Sequence, residues 1–422
     1  MIDFMVSKQN LNRAYLAVCR NKGAAGIDQM SVEQVGEHLQ MQGATYTHQI
    51  RSGNYRGSPI LGVYIPKSNG KKRLLGIPTV VDRIFQQALH QVLSPIFERD
   101  FQTHSYGFRP HRSAHQALQQ SLQNINDGYA HIVDIDLKNF FDEVRHDRLL
   151  ELVYRKVKCP LTLKLLRTFL RSPILLNGKL QKRSKGVPQG SPLSPLLANI
   201  LLNELDKELE NRGHRYVRYA DDFSIYLKSK QAARRVFKSI QCFVEKKLHL
   251  PINTVKSGIR RPTTFSILGH GFVPTYRKGE KGKYQFIVKK SAWASFKQGL
   301  KNITRKTAPL SFDERIIRIK RLMYGWLNYF KGASIHGKLK KIDEWLRNRL
   351  RYCIWHDWKK PDRRRKNLIR LGVEAGTAYA WSRSRMGGWR IAQSPILGTT
   401  ITLKRLKMRG YQSLLDYYYG IR

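Results

Sequence analysis

The chain has 422 residues, and its 77 Lys and Arg outnumber its 30 Asp and Glu, which gives a formal net charge of +47. A compact protein with this excess repels itself, so the composition predicts a polyanionic partner, and nucleic acid is the usual one. A membrane partner is disfavoured, because no apolar run approaches the roughly 20 residues of a membrane span and the N-terminus lacks a signal-peptide core.

The first third of the chain predicts helices that flank one extended segment. Apolar residues three and four apart favour helices at 10–21 and 31–40, and again at 82–98. Between them, 60–80 is typical of extended structure with a hairpin-like turn at Ser68-Asn69-Gly70.

The middle of the chain mixes short strands with helices. His131–Leu137 predicts a buried strand, and Asn177-Gly178 predicts a hairpin turn. A helix is expected over Ser194–Asn211, and 215–227 predicts two strands that meet at a tight acidic turn. A further helix is expected over Gln231–Lys247, and after Ile287 the chain becomes helical, basic and aromatic. This order predicts an α+β part followed by a helical part.

Carboxylates lie where two of the predicted strands end. Asp221 and Asp222 occupy the acidic turn, while Asp136 ends the strand that also carries Asp134. If the two strands are neighbours, Asp136 and Asp221 can hold two Mg²⁺ ions about 3.5–4 Å apart, the arrangement of two-metal phosphoryl transfer. An acidic pair in a turn is otherwise often structural, because Asp favours turns.

Several segments, taken in order, resemble the fingers and palm of reverse transcriptases encoded by group II introns. They are IPKSNGKKRLLGIPTVVDRIFQQAL, SYGFRPHRSAHQAL, VDIDLKNFFDEVRHDRLL, GVPQGSPLSPLLANILLNELDKELE, YADD and FSILGHGF. The segments MYGWLNYFKGA, IDEWLRNRLRYCIWHDWKKP and GWRIAQSPILGTTI extend the resemblance almost to the end of the chain. The length of the chain and its segment PQGSPLSPLLANILL are most similar to the bacterial class C branch. The resemblance does not include the HNH endonuclease domain that other members of the family carry.

The resemblance implies a fold and four domains. The expected fold is an α+β right-hand polymerase, with fingers and palm, a helical thumb and a small basic C-terminal DNA-binding region. The expected domains are an N-terminal extension (1–60), the fingers and palm (61–289), the thumb or maturase domain (290–375) and the DNA-binding region (376–422).

The resemblance also implies roles for individual residues. Asp136, Asp221 and Asp222 match the catalytic positions that bind two Mg²⁺ ions, with Mn²⁺ able to substitute. Phe141 matches an aromatic that would clash with the 2′-hydroxyl of a ribonucleotide, although Phe140 and Phe141 are alternatively both core residues.

Three further residues match positions that bind the incoming deoxynucleoside triphosphate (dNTP). Lys67 and Arg73 match fingers residues that hold the triphosphate, where cations compensate the shifting phosphate charge. The alternative is that these cations, like Lys71 and Lys72, are merely exposed. Gln189 matches a residue beside the incoming nucleotide.

The basic C-terminal part predicts contacts with nucleic acid. Six of the eight residues from 359 to 366 are cations and would repel one another without an anion. The candidates for phosphate contact are Lys331, Lys359, Lys360, Arg363, Arg364, Arg365 and Lys366. The aromatic residues Trp326, Tyr329 and Phe330 suit base stacking, although helix-to-helix packing is favoured for most of them.

The function expected from the resemblance is RNA-directed DNA polymerisation from a primer 3′ end, with intron RNA binding, splicing and retrohoming. The expected partners are an RNA template, a DNA or RNA primer, group II intron RNA, target DNA and dNTPs. The four cysteines form no CxxC pair, which fits the reducing bacterial cytoplasm, with the protein on the nucleoid when it binds DNA.

Three alternatives stay open at this point. The first is a splicing maturase that does not need polymerase activity, and the second is a domesticated reverse transcriptase in DNA repair or phage defence. The third is an RNA-dependent RNA polymerase, which also uses paired aspartates and which Phe141 disfavours.

Overall fold

The computed structural model describes residues 1–66, 70, 72–276 and 282–421, and the chain divides into two compact units at Pro262. The helices of the first unit are α1 (Ile2–Met5), α2 (Lys8–Arg20), α3 (Val35–Arg51), α4 (Val80–Glu98), α5 (Ala114–Asn126), α6 (Phe140–Glu143), α7 (His146–Lys156), α8 (Pro160–Arg171), α9 (Ser194–Asn211) and α10 (Lys230–Lys246). Its strands are β1 (Ile60–Pro66), β2 (Lys72–Ile77), β3 (His131–Ile135), β4 (Ile174–Leu176), β5 (Lys179–Gln181), β6 (Arg215–Tyr219), β7 (Asp222–Leu227) and β8 (Gly258–Arg260).

Two four-stranded sheets organise the first unit. One has the order β6-β7-β3-β8, with antiparallel neighbours throughout, and α5 and α10 pack against its strands. The other has the order β2-β1-β4-β5 and carries the hairpin of β1 and β2. Both faces of β3 and β7 are largely buried, because helices cover a sheet whose central strands are rich in apolar residues.

Local sequence explains where the predicted elements begin and turn. The Thr79 side chain accepts a hydrogen bond from the Asp82 amide at the start of α4, and the Ser229 side chain accepts one from the Ala232 amide at the start of α10. Asn177 and Gly178 have φ values of 50° and 76°, as a two-residue hairpin turn between β4 and β5 requires. The helices predicted at 10–21, 82–98, 194–211 and 231–247 and the hairpins are confirmed, whereas the helix predicted at 31–40 instead spans Val35–Arg51. Ser68 and Asn69 of the predicted turn lie outside the described residues.

The second unit begins with a three-stranded sheet and continues as helices. Its strands are β9 (Ser266–Ile267), β10 (His270–Pro274) and β11 (Tyr284–Val288), in the order β11-β10-β9. Its helices are α11 (Lys290–Ile303), α12 (Phe312–Phe330), α13 (His336–Asp357), α14 (Pro361–Arg370), α15 (Ala375–Ser382), α16 (Gly388–Gln393), α17 (Pro395–Thr400), α18 (Leu403–Met408) and α19 (Leu414–Ile421).

One apolar core runs through the helices of the second unit, from Trp293 to Tyr418. The buried Asp343 of α13 accepts hydrogen bonds from the Tyr411 hydroxyl at 2.7 Å and from the Leu414 amide at 2.8 Å. The end of the chain is therefore fixed to the same core as α13. The strands at 266–288 also belong to this unit. The boundaries between the four domains expected from the resemblance stay predictions.

None of the described helices combines the length and the apolar character that a membrane span needs.

Candidate active site

The two strands that carry the carboxylates are neighbours in one sheet. β3 pairs with β7 in antiparallel register, with Ile135 opposite Phe223. Continuing this register by one residue brings Asp136 opposite Asp222. Because β6 and β7 pair up to Tyr219 and Asp222, the two-residue turn between them also places Asp221 at this end of the sheet. The two strands are therefore neighbours, as a shared carboxylate site requires.

The turn that carries Asp221 is held in a tight backbone conformation. Ala220 has a φ of 59°, in the left-handed region that a residue with a Cβ adopts at a cost of about 1–2 kcal/mol. Gly107 lies directly beneath this turn, where an added Cβ would lie 2.3 Å from the Ala220 nitrogen. Glycine at 107 therefore lets the SYGF segment approach the acidic turn closely.

The buried side chain of Arg218 holds the same turn in place. Arg218 is 0% exposed and forms an ion pair with Asp206 of α9, whose side chain is also fully buried. Its Nη1 donates hydrogen bonds of 2.9 Å to the Ala220 carbonyl and to Asn199 Oδ1, and its Nη2 donates to Ser105 Oγ at 2.6 Å. Arg218 is therefore a positioning residue that ties the acidic turn to α9.

Asp136 is held by a loop that sequence analysis did not single out. Asn253 Nδ2 donates to Asp136 Oδ2 at 2.8 Å, and Lys256 Nζ lies 3.3 Å from Oδ1. The Asp136 amide donates to Ser257 Oγ at 3.0 Å. Asp134 instead pairs with Arg260 at 2.8 Å, which makes it a structural carboxylate of the same strand. The polar INTVKSG segment was the only available sign of this loop.

The carboxylates at the turn repel one another. Desolvation by the surrounding protein, with the negative charges of Asp221, Asp136 and Asp134, raises the pKa of Asp222 to about 6, although part of its surface is exposed. Burial raises the pKa of Asp221 too, while the nearby Arg73 and Arg218 oppose that rise. The excess of negative charge is what a bound cation would relieve.

The carboxylates of Asp136, Asp221 and Asp222 are chemically suited to a divalent cation, although the described side chains do not form a complete coordination shell. Carboxylate oxygens are hard ligands of the kind that Mg²⁺ and Mn²⁺ accept. Among the described residues, no group of three or more acidic, His or Cys side chains already surrounds a metal position. The Asp136 carboxylate contacts Asn253 and Lys256.

We expect cation binding at this site to depend on pH, because a proton competes for Asp222. Below pH 6 this carboxyl is protonated in the cation-free protein, so the affinity for Mn²⁺ should rise by up to about tenfold per pH unit between pH 5 and 6. Above about pH 7 it should level off. Titration of RNA-free protein, followed by the Mn²⁺ paramagnetic resonance signal, measures this. The same pH dependence in Asp222→Asn would contradict the assignment.

A cleft of about 640 Å³ brings together three of the predicted dNTP-binding residues, Arg73, Phe141 and Gln189. The Arg73 Nε donates a hydrogen bond to Gln189 Oε1. The PQG loop reaches β2 because the Gly76 amide donates to the Gln189 carbonyl at 2.9 Å. Since Phe108 lines the cleft and the preceding Gly107 lies against Ala220, the cleft and the acidic turn are adjacent.

The two adjacent phenylalanines have different environments. Phe140 is 2% exposed and belongs to the core, whereas Phe141 is half-buried and lines the cleft. The two residues begin a short helix, and their rings contact each other edge to face, with centres 5.2 Å apart. Phe108 also lines the cleft and was missed, although it is 57% exposed and has a φ of 57°.

The remaining predicted residues are Lys67 and the candidates for phosphate contact in the second unit. Lys67 falls outside the described residues. The exposed candidates for phosphate contact are Lys331, at the end of α12, and Lys359, Lys360, Arg363, Arg365 and Lys366 of the basic segment. Arg364 is partly buried and packs its guanidinium 4.5 Å from the Trp355 ring centre. Trp326 stacks on Phe296, and Phe330 packs against Trp326, so these aromatics are helix-packing residues.

Comparison with known proteins identifies two family models along the chain. Residues 65–272 match the model described as reverse transcriptase (RNA-dependent DNA polymerase). Residues 293–372 match the model described as group II intron, maturase-specific domain. The first match contains the acidic turn and the cleft residues Arg73, Phe141 and Gln189, and the second lies within the helical unit.

Curated relatives agree with these models. Protein YkfC of Escherichia coli is 33% identical over 60% of this chain and 77% of its own length. The group II intron-encoded protein LtrA of Lactococcus lactis is 31% identical over 58% of this chain and 51% of its length. The retron Mx162 reverse transcriptase of Myxococcus xanthus is 34% identical over 40% of this chain and 36% of its length. The chain thus spans about half the length of LtrA, and the matches confirm the predicted α+β polymerase class.

Proposed function

Because the chain belongs to the reverse transcriptases and maturases encoded by group II introns, we propose that it extends a primer 3′ end with dNTPs on an RNA template. The observation that carries this proposal is the adjacency of the acidic turn to the cleft of Arg73, Phe141 and Gln189. Reverse transcriptases as a family use divalent metal ions. We propose Mg²⁺ here, with Mn²⁺ able to substitute.

The carboxylates of Asp136, Asp221 and Asp222 would hold these ions. Bound there, two divalent cations supply positive charge for the primer 3′ oxygen and for the departing pyrophosphate. Asn253 keeps the Asp136 carboxylate in one orientation, and Arg218 keeps the turn of Asp221 close to it. The protein thereby sets the carboxylate geometry before any nucleotide enters.

The cleft residues would bind the incoming nucleotide. Arg73 carries a planar guanidinium that can compensate triphosphate charge, and its hydrogen bond to Gln189 orients it. Lys67 is proposed for the same role from the family motif alone. Phe141 lines the same cleft, where its ring would meet the 2′-hydroxyl of a ribonucleotide.

Shortening Phe141 to alanine is expected to weaken the discrimination between dNTPs and ribonucleotides by about 10–100-fold, because space opens where the 2′-hydroxyl would clash. Single-turnover incorporation of each nucleotide by wild type and Phe141→Ala measures this ratio. Phe141→Tyr keeps the ring and is the matched control, since it should keep the discrimination. Efficient ribonucleotide incorporation by wild type would overturn the assignment and favour an RNA polymerase.

Intron RNA is the proposed partner of the helical unit, which contains the maturase-specific match at 293–372. Exposed cations of α14 and the residues before it, Lys359, Lys360, Arg363, Arg365 and Lys366, are suited to phosphate contact. Target DNA is proposed as the partner of 376–422. Splicing assistance and retrohoming are part of this proposal, and the domesticated reverse transcriptase would share the same chemistry.

A further inference from the structure

A second pocket lies in the first unit, away from the acidic turn. It has a volume of about 650 Å³ and is formed by α7, α8 and the segment that follows β5. We call it the α7–α8 pocket. Its lining residues are Arg145, His146, Asp147, Leu150, Glu151, Tyr154, Leu163, Arg167, Arg171 and Ser184. The polymerase proposal assigns no role to these side chains, although those from Arg145 to Leu150 lie at the end of one family segment.

One wall of the α7–α8 pocket carries uncompensated positive charge. Arg167 and Arg171 are exposed, lie one turn apart on α8, and have no ion pair within the part of the chain that the structure describes. Like charges at this spacing destabilise a helix, so an anion between them would be stabilising. Arg183, next to the lining residue Ser184, has a buried Nη1 without a hydrogen-bond acceptor.

The acidic residues of the opposite wall are already neutralised. Asp147 pairs with Arg145, and Glu151 pairs with Arg148 and Arg155 at 2.7 Å each. They therefore leave the charge of Arg167 and Arg171 available to a ligand. Burial and the nearby guanidinium groups of Arg183 and Arg171 lower the pKa of His146.

The same pocket offers a surface for a base. Tyr154 is 52% exposed and lines it together with the partly buried Leu150 and Leu163. An exposed aromatic ring beside unpaired guanidinium groups is the combination that binds single-stranded nucleic acid, since the ring stacks a base and the cations contact the backbone. A volume of 650 Å³ accommodates a nucleotide.

The α7–α8 pocket is joined to the nucleotide cleft through two short segments. The segment from Ser184 to Gln189 runs from this pocket to the cleft, and Phe141 to His146 does the same. They are tied together because the Val187 amide donates to the Phe141 carbonyl and the Gly186 amide donates to the Val144 carbonyl, each at 2.7 Å. A nucleic-acid strand bound in this pocket would therefore contact segments that continue directly into the cleft.

We propose that the α7–α8 pocket binds single-stranded RNA, with a phosphate between Arg167 and Arg171 and a base against Tyr154. This site lies outside the nucleotide cleft and does not require polymerase activity. It would add sequence-tolerant affinity for long transcripts.

The test uses the full chain and a single-stranded RNA oligonucleotide that contains 4-thiouridine. Arg167→Glu with Arg171→Glu should lower RNA affinity about tenfold. The slope of log affinity against log salt should also become shallower, by about 0.7 for each RNA phosphate that the variant no longer neutralises. Photocrosslinking of wild type should label the peptide that contains Tyr154, and Tyr154→Ala should abolish this label.

The matched control is Arg234→Glu with Arg235→Glu, which makes the same charge change at two exposed positions of α10. Equal reductions of affinity in both double variants would overturn the proposal, because only net charge would then matter. So would the absence of a crosslink in the Tyr154 peptide of wild type. Displacement of the crosslink by free uridine monophosphate at equal nucleotide concentration would identify a mononucleotide site and overturn RNA-strand binding. Melting curves establish that the variants are folded.

Discussion

Changing Asp221 and Asp222 together to asparagine is expected to reduce primer extension by about a thousandfold or more. Asparagine keeps the size of each side chain but removes two negative charges from the position where we propose that cations bind. The folded state should not suffer, because burial and the neighbouring carboxylates disfavour the charge of Asp222 and raise its pKa to about 6. The melting temperature should therefore stay the same or rise.

Single-turnover extension of a primer on an RNA template, together with a thermal melt, separates these two effects. Asp127→Asn with Asp362→Asn removes the same charge from exposed positions and should leave extension almost unchanged. More than about a tenth of wild-type extension in the Asp221 and Asp222 variant would contradict the catalytic assignment. Abolished extension with a lowered melting temperature would instead indicate a structural role for these carboxylates.

Replacing Arg218 with methionine is expected to destabilise the first unit by about 3–5 kcal/mol, because it leaves the buried Asp206 without its ion-pair partner. The Ala220 carbonyl also loses a donor, so the acidic turn should become mobile and extension should fall. Combining Arg218→Met with Asp206→Asn should recover part of the stability, since no buried charge then remains unpaired.

Denaturation followed by far-ultraviolet circular dichroism measures the destabilisation. All seven tryptophans lie from Trp293 onwards, so tryptophan fluorescence reports on the second unit and identifies which unit has been weakened. Arg215→Met is the matched control, because this arginine lies on the same strand but is exposed in its ion pair with Asp127. A circular dichroism midpoint for Arg218→Met equal to that of wild type would contradict the positioning role of Arg218.

The sequence predicted much of the local structure, since periodicity and turn residues act over a few positions. The helix predicted over Ser194–Asn211 has these bounds, and the two strands around the acidic turn are present. The proximity of Asp136 to that turn was conditional on strand pairing, which β3 and β7 supply. The cleft also unites Arg73, Phe141 and Gln189, which the family motifs had named separately.

The supporting residues were missed because their contacts join distant parts of the chain. Arg218 reaches Ser105 from more than a hundred positions away, and Asn253 reaches Asp136 over a similar separation. No local pattern distinguishes such residues from ordinary polar side chains. The packing of Arg364 on Trp355 is likewise a tertiary contact. The charge of Arg364 alone had suggested that its side chain is exposed and contacts phosphate.

The most direct test of the central claim is extension of a DNA primer on an RNA template by the wild-type chain, with the four dNTPs and Mg²⁺. We expect extension that stops when the cations are chelated and that ribonucleotides do not support. RNA binding is measured in the same sample. Absence of extension across salt and Mg²⁺ concentrations, with RNA binding intact, would contradict the polymerase function and favour a maturase that acts through RNA binding alone.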